Sequence, residues 1–367
     1  MCKLVNKKVL LLGGTGVIGK NLTKILLESG STVYITSRKK TESTSNCYYI
    51  EGNAQDESFV RKVLNTYKID AIVDFMIYNT NNFSNRLDLL LEKKVHYIYL
   101  STYRVYSESK NKLKEDAPYL KDTIIDAEYL LTNEYALSKT DQEQLIKSRK
   151  NDSWTIVRPS ITYGGNRFQL AGFESDLIMP RVARGLAIPL PKEILDKKAV
   201  MTSGLDTARM ICGLLFNERA FENIFNVTTS ESITWREIAT IYSEEIGLRF
   251  EEVPLDKFKE VEGNIWQIKY DRMFDRHCCN EKVLSTTKID PDEITSIENG
   301  LKRELKKVNI EDYRLYSKTL NRKNGNIDRI LGIYRFPLTL NIKLFSSYFI
   351  GRILILDKIF RIMKEKS

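Results

Sequence analysis

Through the first half of the chain, short apolar runs alternate with stretches whose apolar residues recur at helical spacing. Residues 9–12, 33–36, 71–75, 97–101 and 154–158 read as strands, and residues 16–29, 58–67, 82–92 and 133–148 read as helices between or after them. A strand that is to pair in parallel with its predecessor needs a crossover to return, so this alternation predicts βαβ units and a parallel sheet covered by helices. Pro159 and the Gly164-Gly165 pair then break the pattern. From residue 166 to residue 304 the elements are shorter and mixed: a helix at 206–216, a strand at 223–227, and a helix at 234–246 that Thr234 caps with Glu237 three residues on.

Composition changes this picture little. Hydrophobic residues make up 42% and charged residues 29% of 367 positions, with no low-complexity stretch or repeat, which is the balance of a folded domain rather than a disordered one. The first strand follows Lys3, Lys7 and Lys8 almost at once, leaving no apolar core for a secretory signal, so a cytoplasmic location is expected. Cys2, Cys47, Cys212, Cys278 and Cys279 are scattered and lack the neighbouring ligands of a zinc site; reduced structural thiols and no metal are expected.

Charge is more telling. Of the net +9, residues 301–367 hold 16 Lys and Arg against 6 Asp and Glu, a local +10, which leaves −1 for residues 1–300. A basic protein invites a nucleic-acid reading, but here the cations lie outside the region that carries recognisable chemistry, so no nucleic-acid partner is expected.

That chemistry begins at Gly13-Gly14-Thr15-Gly16-Val17-Ile18-Gly19, directly after the first strand and opening the first helix. Glycines in this context allow a tight turn and bring backbone N–H groups and a helix N-terminus against a pyrophosphate, so a nicotinamide dinucleotide is the expected cofactor. An acid for the adenosine ribose diol of NAD belongs at the end of the second strand. The chain has Ser37-Arg38 there, a hydroxyl and a guanidinium suited to a 2′-phosphate, which favours NADP over NAD.

Tyr135-Ala136-Leu137-Ser138-Lys139 sets a phenol and an ammonium four apart on one helical face. A nearby cation lowers the phenol's pKa and lets it exchange a proton with a substrate hydroxyl near neutral pH. Tyr106 and Lys110 repeat the spacing, but Tyr106 ends a strand-like run and enters a polar loop; only Tyr135 and Lys139 have the helical setting. His96 and His277 lack a partner constellation, and loop or surface roles are expected for both.

Over roughly residues 7–250 these motifs, in this order, resemble the extended short-chain dehydrogenase/reductases of the NAD-dependent epimerase/dehydratase family. Leu100-Ser101-Thr102-Tyr103-Arg104-Val105-Tyr106 is similar to the family's strand bearing the catalytic Ser/Thr, Arg158-Pro159 with Tyr163-Gly164 to the segment after the sixth strand, and Ile224-Phe225-Asn226-Val227 with Ile233-Thr234-Trp235 to the entry into the substrate lobe. The resemblance implies that Thr102 hydrogen-bonds the reacting oxygen, that Tyr135 is the acid/base, and that Lys139 holds the nicotinamide ribose. It also implies an α/β fold, a Rossmann-type doubly wound parallel sheet in residues 1–165 with a smaller α/β substrate lobe in 166–310; the charge and apolar pattern of the tail add a basic amphipathic extension in 311–367.

Two departures narrow the reaction. Sugar-nucleotide 4,6-dehydratases of the family carry Asp-Glu after the catalytic Thr, where this chain has Tyr103-Arg104. An Arg that grips substrate phosphates corresponds to Ala199, with Lys198, Arg167, Arg181 or Arg184 as substitutes. The expected activity is hydride transfer at a sugar carbon, C4, of a nucleotide sugar, with net reduction favoured over 4-epimerisation on retained NAD. A non-enzymatic RNA-binding role, as in the chloroplast stem-loop-binding relatives, has no need of Thr102, Tyr135 and Lys139 together.

In the basic extension, residues 348–364 form one amphipathic pattern, with Phe349, Ile353, Leu356, Ile359, Phe360 and Met363 on one face and Asp357, Lys358, Arg361 and Lys364 gathered beside it. Arg352 and Asp357 exclude a membrane-spanning helix. The helix is expected to dock on the enzyme's own body, on a second subunit of a homodimer, or on an anionic membrane, where it would hold the enzyme near glycan assembly.

Overall fold

A computed structural model describes residues 4–92, 95–262, 265–313, 318–334 and 341–365. The chain divides into two compact units. The first comprises residues 1–164, 200–232 and 276–297, and the second residues 165–199, 233–275 and 298–367.

The first unit is built on seven strands, β1 (Lys8–Leu12), β2 (Thr32–Ser37), β3 (Cys47–Glu51), β4 (Ala71–Asp74), β5 (His96–Leu100), β6 (Trp154–Pro159) and β7 (Asn223–Val227), in the order β7-β6-β5-β4-β1-β2-β3. Every neighbouring pair is parallel. The order reverses direction at β1, so β1 and β4 diverge at the switch point where doubly wound sheets bind ligands. Strands buried on both sides must be apolar throughout, and Val9 to Leu12 and Ala71 to Val73 are fully buried.

The crossovers include α1 (Val17–Glu28), α2 (Glu57–Thr66), α3 (Thr80–Glu92) and α4 (Tyr135–Lys147). One face of the sheet packs Leu22 and Leu26 of α1 with Ile211 and Leu214 of α5 (Gly204–Leu214); the other packs Val60 and Val63 of α2 with Phe83, Leu87 and Leu90 of α3. Asp56 caps α2 by accepting from Ser58 N, and Glu134 caps α4 by accepting from Ala136 N.

The expected elements form with shifts of one or two residues at their ends. β3 is an addition to them. The division into consecutive blocks at residues 165 and 310 gives way to an interleaved one, because β7, expected in the second lobe, hydrogen-bonds along β6 from Asn223 opposite Thr155 to Val227 opposite Pro159. Residues 276–297 also return to the first unit and place Val283 and Leu284 in its core.

In the second unit, Ala187–Pro191 runs parallel to Arg249–Val253, Lys198–Ala199 runs antiparallel to Ile233–Thr234, and α6 (Trp235–Ile246) begins with the expected capping box between Thr234 and Glu237. The C-terminal stretch contains α7 (Lys318–Ile330), α8 (Ile342–Arg352) and α9 (Leu354–Glu365). The single helix expected over 348–364 is therefore two helices that part at Ile353.

Candidate active site

The glycine loop joins β1 to α1. Gly13 N donates to Thr36 Oγ1 at 2.9 Å, tying the loop to β2, and Gly14 is buried while Thr15 and Gly16 are exposed. A Cβ on Gly19 would lie 2.2 Å from Gly14 O, so only glycine lets the first turn of α1 sit against the loop. Gly16 is the N-cap of α1, has open space where a Cβ would stand, and offers no side-chain cap. Backbone donors at the positive end of the helix dipole are thus left for an external anion, which fits a dinucleotide pyrophosphate. Val17 and Ile18 lie in the first turn of α1, with Ile18 turned into the core.

At the end of β2, Ser37 Oγ donates to Lys39 O at 2.8 Å and also accepts from Lys39 N at 3.1 Å. Its hydroxyl is folded into its own turn, and Arg38 stands exposed beside it.

Thr102 follows β5. It is nearly buried, and its Oγ1 accepts from Arg104 N at 3.3 Å, capping the short turn Tyr103–Val105. Tyr135 opens α4 and is half-buried. Lys139, one turn later, is buried with its Nζ 5.8 Å from the Tyr135 ring centre, 4.3 Å from the Tyr99 ring centre and 2.7 Å from Leu100 O, to which it donates. Burial lowers the Lys139 ammonium from its usual 10.5 to about 8, although Asp74 and Glu143 favour its charge.

Three further groups surround this cluster. Arg104 lies 5.5 Å over the Tyr135 ring and pairs with Glu134, whose other oxygen accepts from Tyr129 Oη at 3.0 Å. A cation at position 104 thus stands beside the phenol. Asp74, at the end of β4, is fully buried and accepts from Met76 N, Tyr78 Oη and Tyr97 Oη, each at 3.0 Å or slightly more; burial pushes its carboxyl up. Glu143 accepts from Ser101 Oγ, Tyr119 Oη and the Arg158 guanidinium, with Arg158 and Glu143 both fully buried. Glu143 thus fixes the ends of β5 and β6 against α4, and Asp74 ties the end of β4 to β5 through Tyr97. The sequence pattern marks neither Asp74 nor Glu143, since the partners of Glu143 lie 15 to 42 residues away and Asp74 reaches across the sheet to Tyr97, 23 residues on; the basic residue at position 104 is the one visible signal.

The second tyrosine of the repeated spacing is placed otherwise. Tyr106 is fully buried, its hydroxyl donates to Asn226 Oδ1 at 2.6 Å, and burial raises its pKa; Lys110 is exposed. Of the basic residues offered for substrate phosphates, Arg181 is buried against Asn324 and Asp328 at 2.8 Å each, Lys198 lies 3.7 Å from Glu237, and Arg167 is exposed.

His96 corrects its expected loop or surface role. It lies buried in β5, where Nδ1 accepts from Phe216 N at 3.0 Å and Nε2 faces Thr155 Oγ1 at 2.8 Å. Since Nδ1 accepts, Nε2 carries the proton and the ring is neutral. Among the described residues no cluster of ligands could hold a metal ion.

The model of the NAD-dependent epimerase/dehydratase family matches residues 9–198, more than half of the chain, and the chain belongs to that family. The curated relatives it resembles include the chloroplast stem-loop binding protein of 41 kDa b of Arabidopsis thaliana, 26% identical over an alignment of 253 residues that covers 64% of this chain and 61% of that protein. A UDP-glucose 4-epimerase of Lactobacillus helveticus is 26% identical over 191 residues, 46% of this chain and 53% of that one. The chain thus spans between about half and three fifths of these relatives' length. Among solved structures, a Thermus thermophilus UDP-glucose 4-epimerase in complex with NAD superimposes with a TM-score of 0.62 at 18% identity, covering 84% of this chain and all of that one. A Bacillus anthracis dTDP-glucose 4,6-dehydratase in complex with NAD gives 0.64 at 17% identity, covering 82% and 95%. At such identities the likeness is one of fold.

Proposed function

We propose that this chain is a nucleotide-sugar enzyme that transfers hydride reversibly at a sugar carbon, C4, and that net reduction with NADP(H) is its direction. The observation that carries the reading is Tyr135 and Lys139 one turn apart in the first turns of α4, with Lys139 Nζ 5.8 Å from the Tyr135 ring centre and bonded to Leu100 O two residues before Thr102, in the unit whose glycine loop offers open backbone donors.

In this reading the bound nicotinamide supplies or accepts the hydride. Thr102 Oγ1 orients the reacting oxygen, and Tyr135 Oη gives that oxygen a proton in reduction or takes one in oxidation. Lys139, close to neutral pH in its balance between charged and uncharged forms, supports the phenol and the nicotinamide ribose. The Arg104 cation in place of an acidic pair gives no base for removing a proton from a neighbouring carbon, which speaks against dehydration. Exposed Arg38 supports the preference for a 2′-phosphate.

Epimerisation is the second reading, supported by the epimerase relatives and by the Ser37 hydroxyl being committed to the Lys39 backbone, which weakens one half of the NADP argument. Retained NAD on the purified protein would favour it. An RNA-binding role, suggested by the chloroplast relative, leaves the Thr102, Tyr135 and Lys139 group without a task.

Oxidation of UDP-glucose and UDP-galactose by NADP+ and NAD+, reduction of the corresponding 4-keto sugar nucleotide by NADPH and NADH, and calorimetric titration test the proposal. Tyr135→Phe is expected to abolish turnover and keep cofactor affinity, Tyr106→Phe to retain most activity, and Arg38→Ala to weaken NADP binding by about 1.5–3 kcal/mol with little effect on NAD. An active Tyr135→Phe variant overturns the assignment, and equal affinity of the wild type for both cofactors overturns the NADP preference.

A further inference from the structure

The C-terminal helices are assembled with their polar side inward. A Cβ on Gly351 of α8 would lie 2.0 Å from Arg322 O of α7, so the two backbones cross in near contact. Between and behind them, Ile327 apart, the buried side chains carry polar groups. Asn321 Nδ2 donates to Leu344 O at 3.1 Å, Tyr348 Oη donates to Asp328 Oδ2 at 2.9 Å, and Arg181 pairs with the other Asp328 oxygen.

α9 continues the inversion. Its buried side chain among those described is Asp357, 2.6 Å from Arg322 and 2.7 Å from Arg361. Leu354, Ile355, Ile359, Phe360, Ile362 and Met363 are exposed, between 37% and 69%. The sequence pattern predicts Asp357 on the polar margin of a helix whose apolar face docks; the structure buries the carboxylate and leaves the apolar residues out. The Arg322 guanidinium, 15% exposed, accounts for it, since a largely desolvated cation needs an anion and Asp357 stands 2.6 Å from it.

An exposed apolar surface of this kind marks a contact site. Its charge selects the occupant. Residues 342–363 hold four basic residues, Lys343, Arg352, Lys358 and Arg361, and one acid, Asp357, which is consumed internally. A second copy laid on this face would oppose like charges, whereas an anionic lipid surface answers both the apolar side chains and the cations. No helix among the described residues is long and apolar enough to cross a membrane.

We propose that α9 lies flat in the interface of an anionic membrane, its apolar side chains at the acyl boundary and Lys343 and Lys358 against lipid phosphates. The contact is independent of the hydride chemistry proposed above.

Flotation of the full chain with phosphatidylglycerol/phosphatidylcholine vesicles and with phosphatidylcholine vesicles tests it. Binding is expected to the anionic vesicles alone and to weaken with added salt. The double substitution Ile355→Glu and Ile362→Glu, at exposed positions, is expected to lower partitioning more than about tenfold with an unchanged melting temperature. Ile355→Ala with Ile362→Ala should give an intermediate loss, and Lys343→Gln with Lys358→Gln should reduce the preference for anionic lipid. Absent binding, equal binding to both vesicles, or binding undiminished by the glutamates overturns the proposal. So does a concentration-dependent dimer that the glutamates dissolve, which would give the face to a second copy.

Discussion

His96 shows how a side chain with no visible constellation in sequence acquires one by folding. Its partners, Thr155 and Phe216, are 59 and 120 residues away, and Thr155 Oγ1 donates onward to Ala220 O at 2.6 Å. Burial lowers the imidazole from 6.5 to about 4. The unfolded chain therefore binds the proton first as pH falls, and the stability that neutral His96 brings is lost from about pH 6.5 downward. Relative to a His96→Gln variant, the wild type should lose roughly 2 kcal/mol between about pH 7.5 and pH 5. Urea unfolding of both proteins across that range checks this, and parallel pH curves would refute it. The same distance rule explains which candidate site residues were legible. Tyr135 and Lys139 announce themselves through helical spacing and Thr102 through its strand motif. Glu143 acts through Ser101, Tyr119 and Arg158, and Asp74 and Glu134 add Tyr97 and Arg104 to near neighbours, all partners that only the assembled fold brings near.

At the scale of elements, legibility followed burial. β4 and β5 are buried throughout, as is β1 after Lys8, and they read plainly as apolar runs. β3 is an edge strand, Cys47-Tyr48-Tyr49-Ile50-Glu51, with only Cys47 fully buried, and its mixed pattern carries no strand signature. The split of the C-terminal helix at Ile353 was equally hidden, because the apolar pattern of residues 348–364 runs through it without interruption. Local chemistry did fix the start of α6, where the cap is complete within four residues. The join of the glycine loop to α1 is another such local device. Gly19→Ala places a methyl against backbone that has no side chain to move aside, so it is expected to weaken dinucleotide binding at least about tenfold and to destabilise the first unit by about 1–3 kcal/mol. Calorimetric titration and thermal melting measure the two effects, and wild-type values in both would exclude a tight packing role.

For the molecule as a whole, the family's order of motifs was readable along the chain, but the way in which the chain leaves its first unit and comes back was not. Nothing local in Asn223–Val227 says whether that strand begins a new sheet or completes the old one; the answer lies in the register with β6. A fragment of residues 1–222 lacks β7 and should partition largely to the pellet, whereas residues 1–297, which include every part of the first unit, should be more soluble. Equal soluble fractions on sedimentation would show that β6 tolerates an open edge.

That arrangement also sets a timetable for the ribosome. Between the end of β6 at Pro159 and the start of β7 at Asn223 lie 63 residues, 160–222, which are translated in roughly 3–13 s at about 5–20 residues per second. For that interval the nascent sheet presents an unpaired strand to its surroundings, and the return segment holding Val283 and Leu284 comes later still. Holding chaperones would find their binding window on this chain there, and synonymous codons that slow translation across 160–222 would lengthen it.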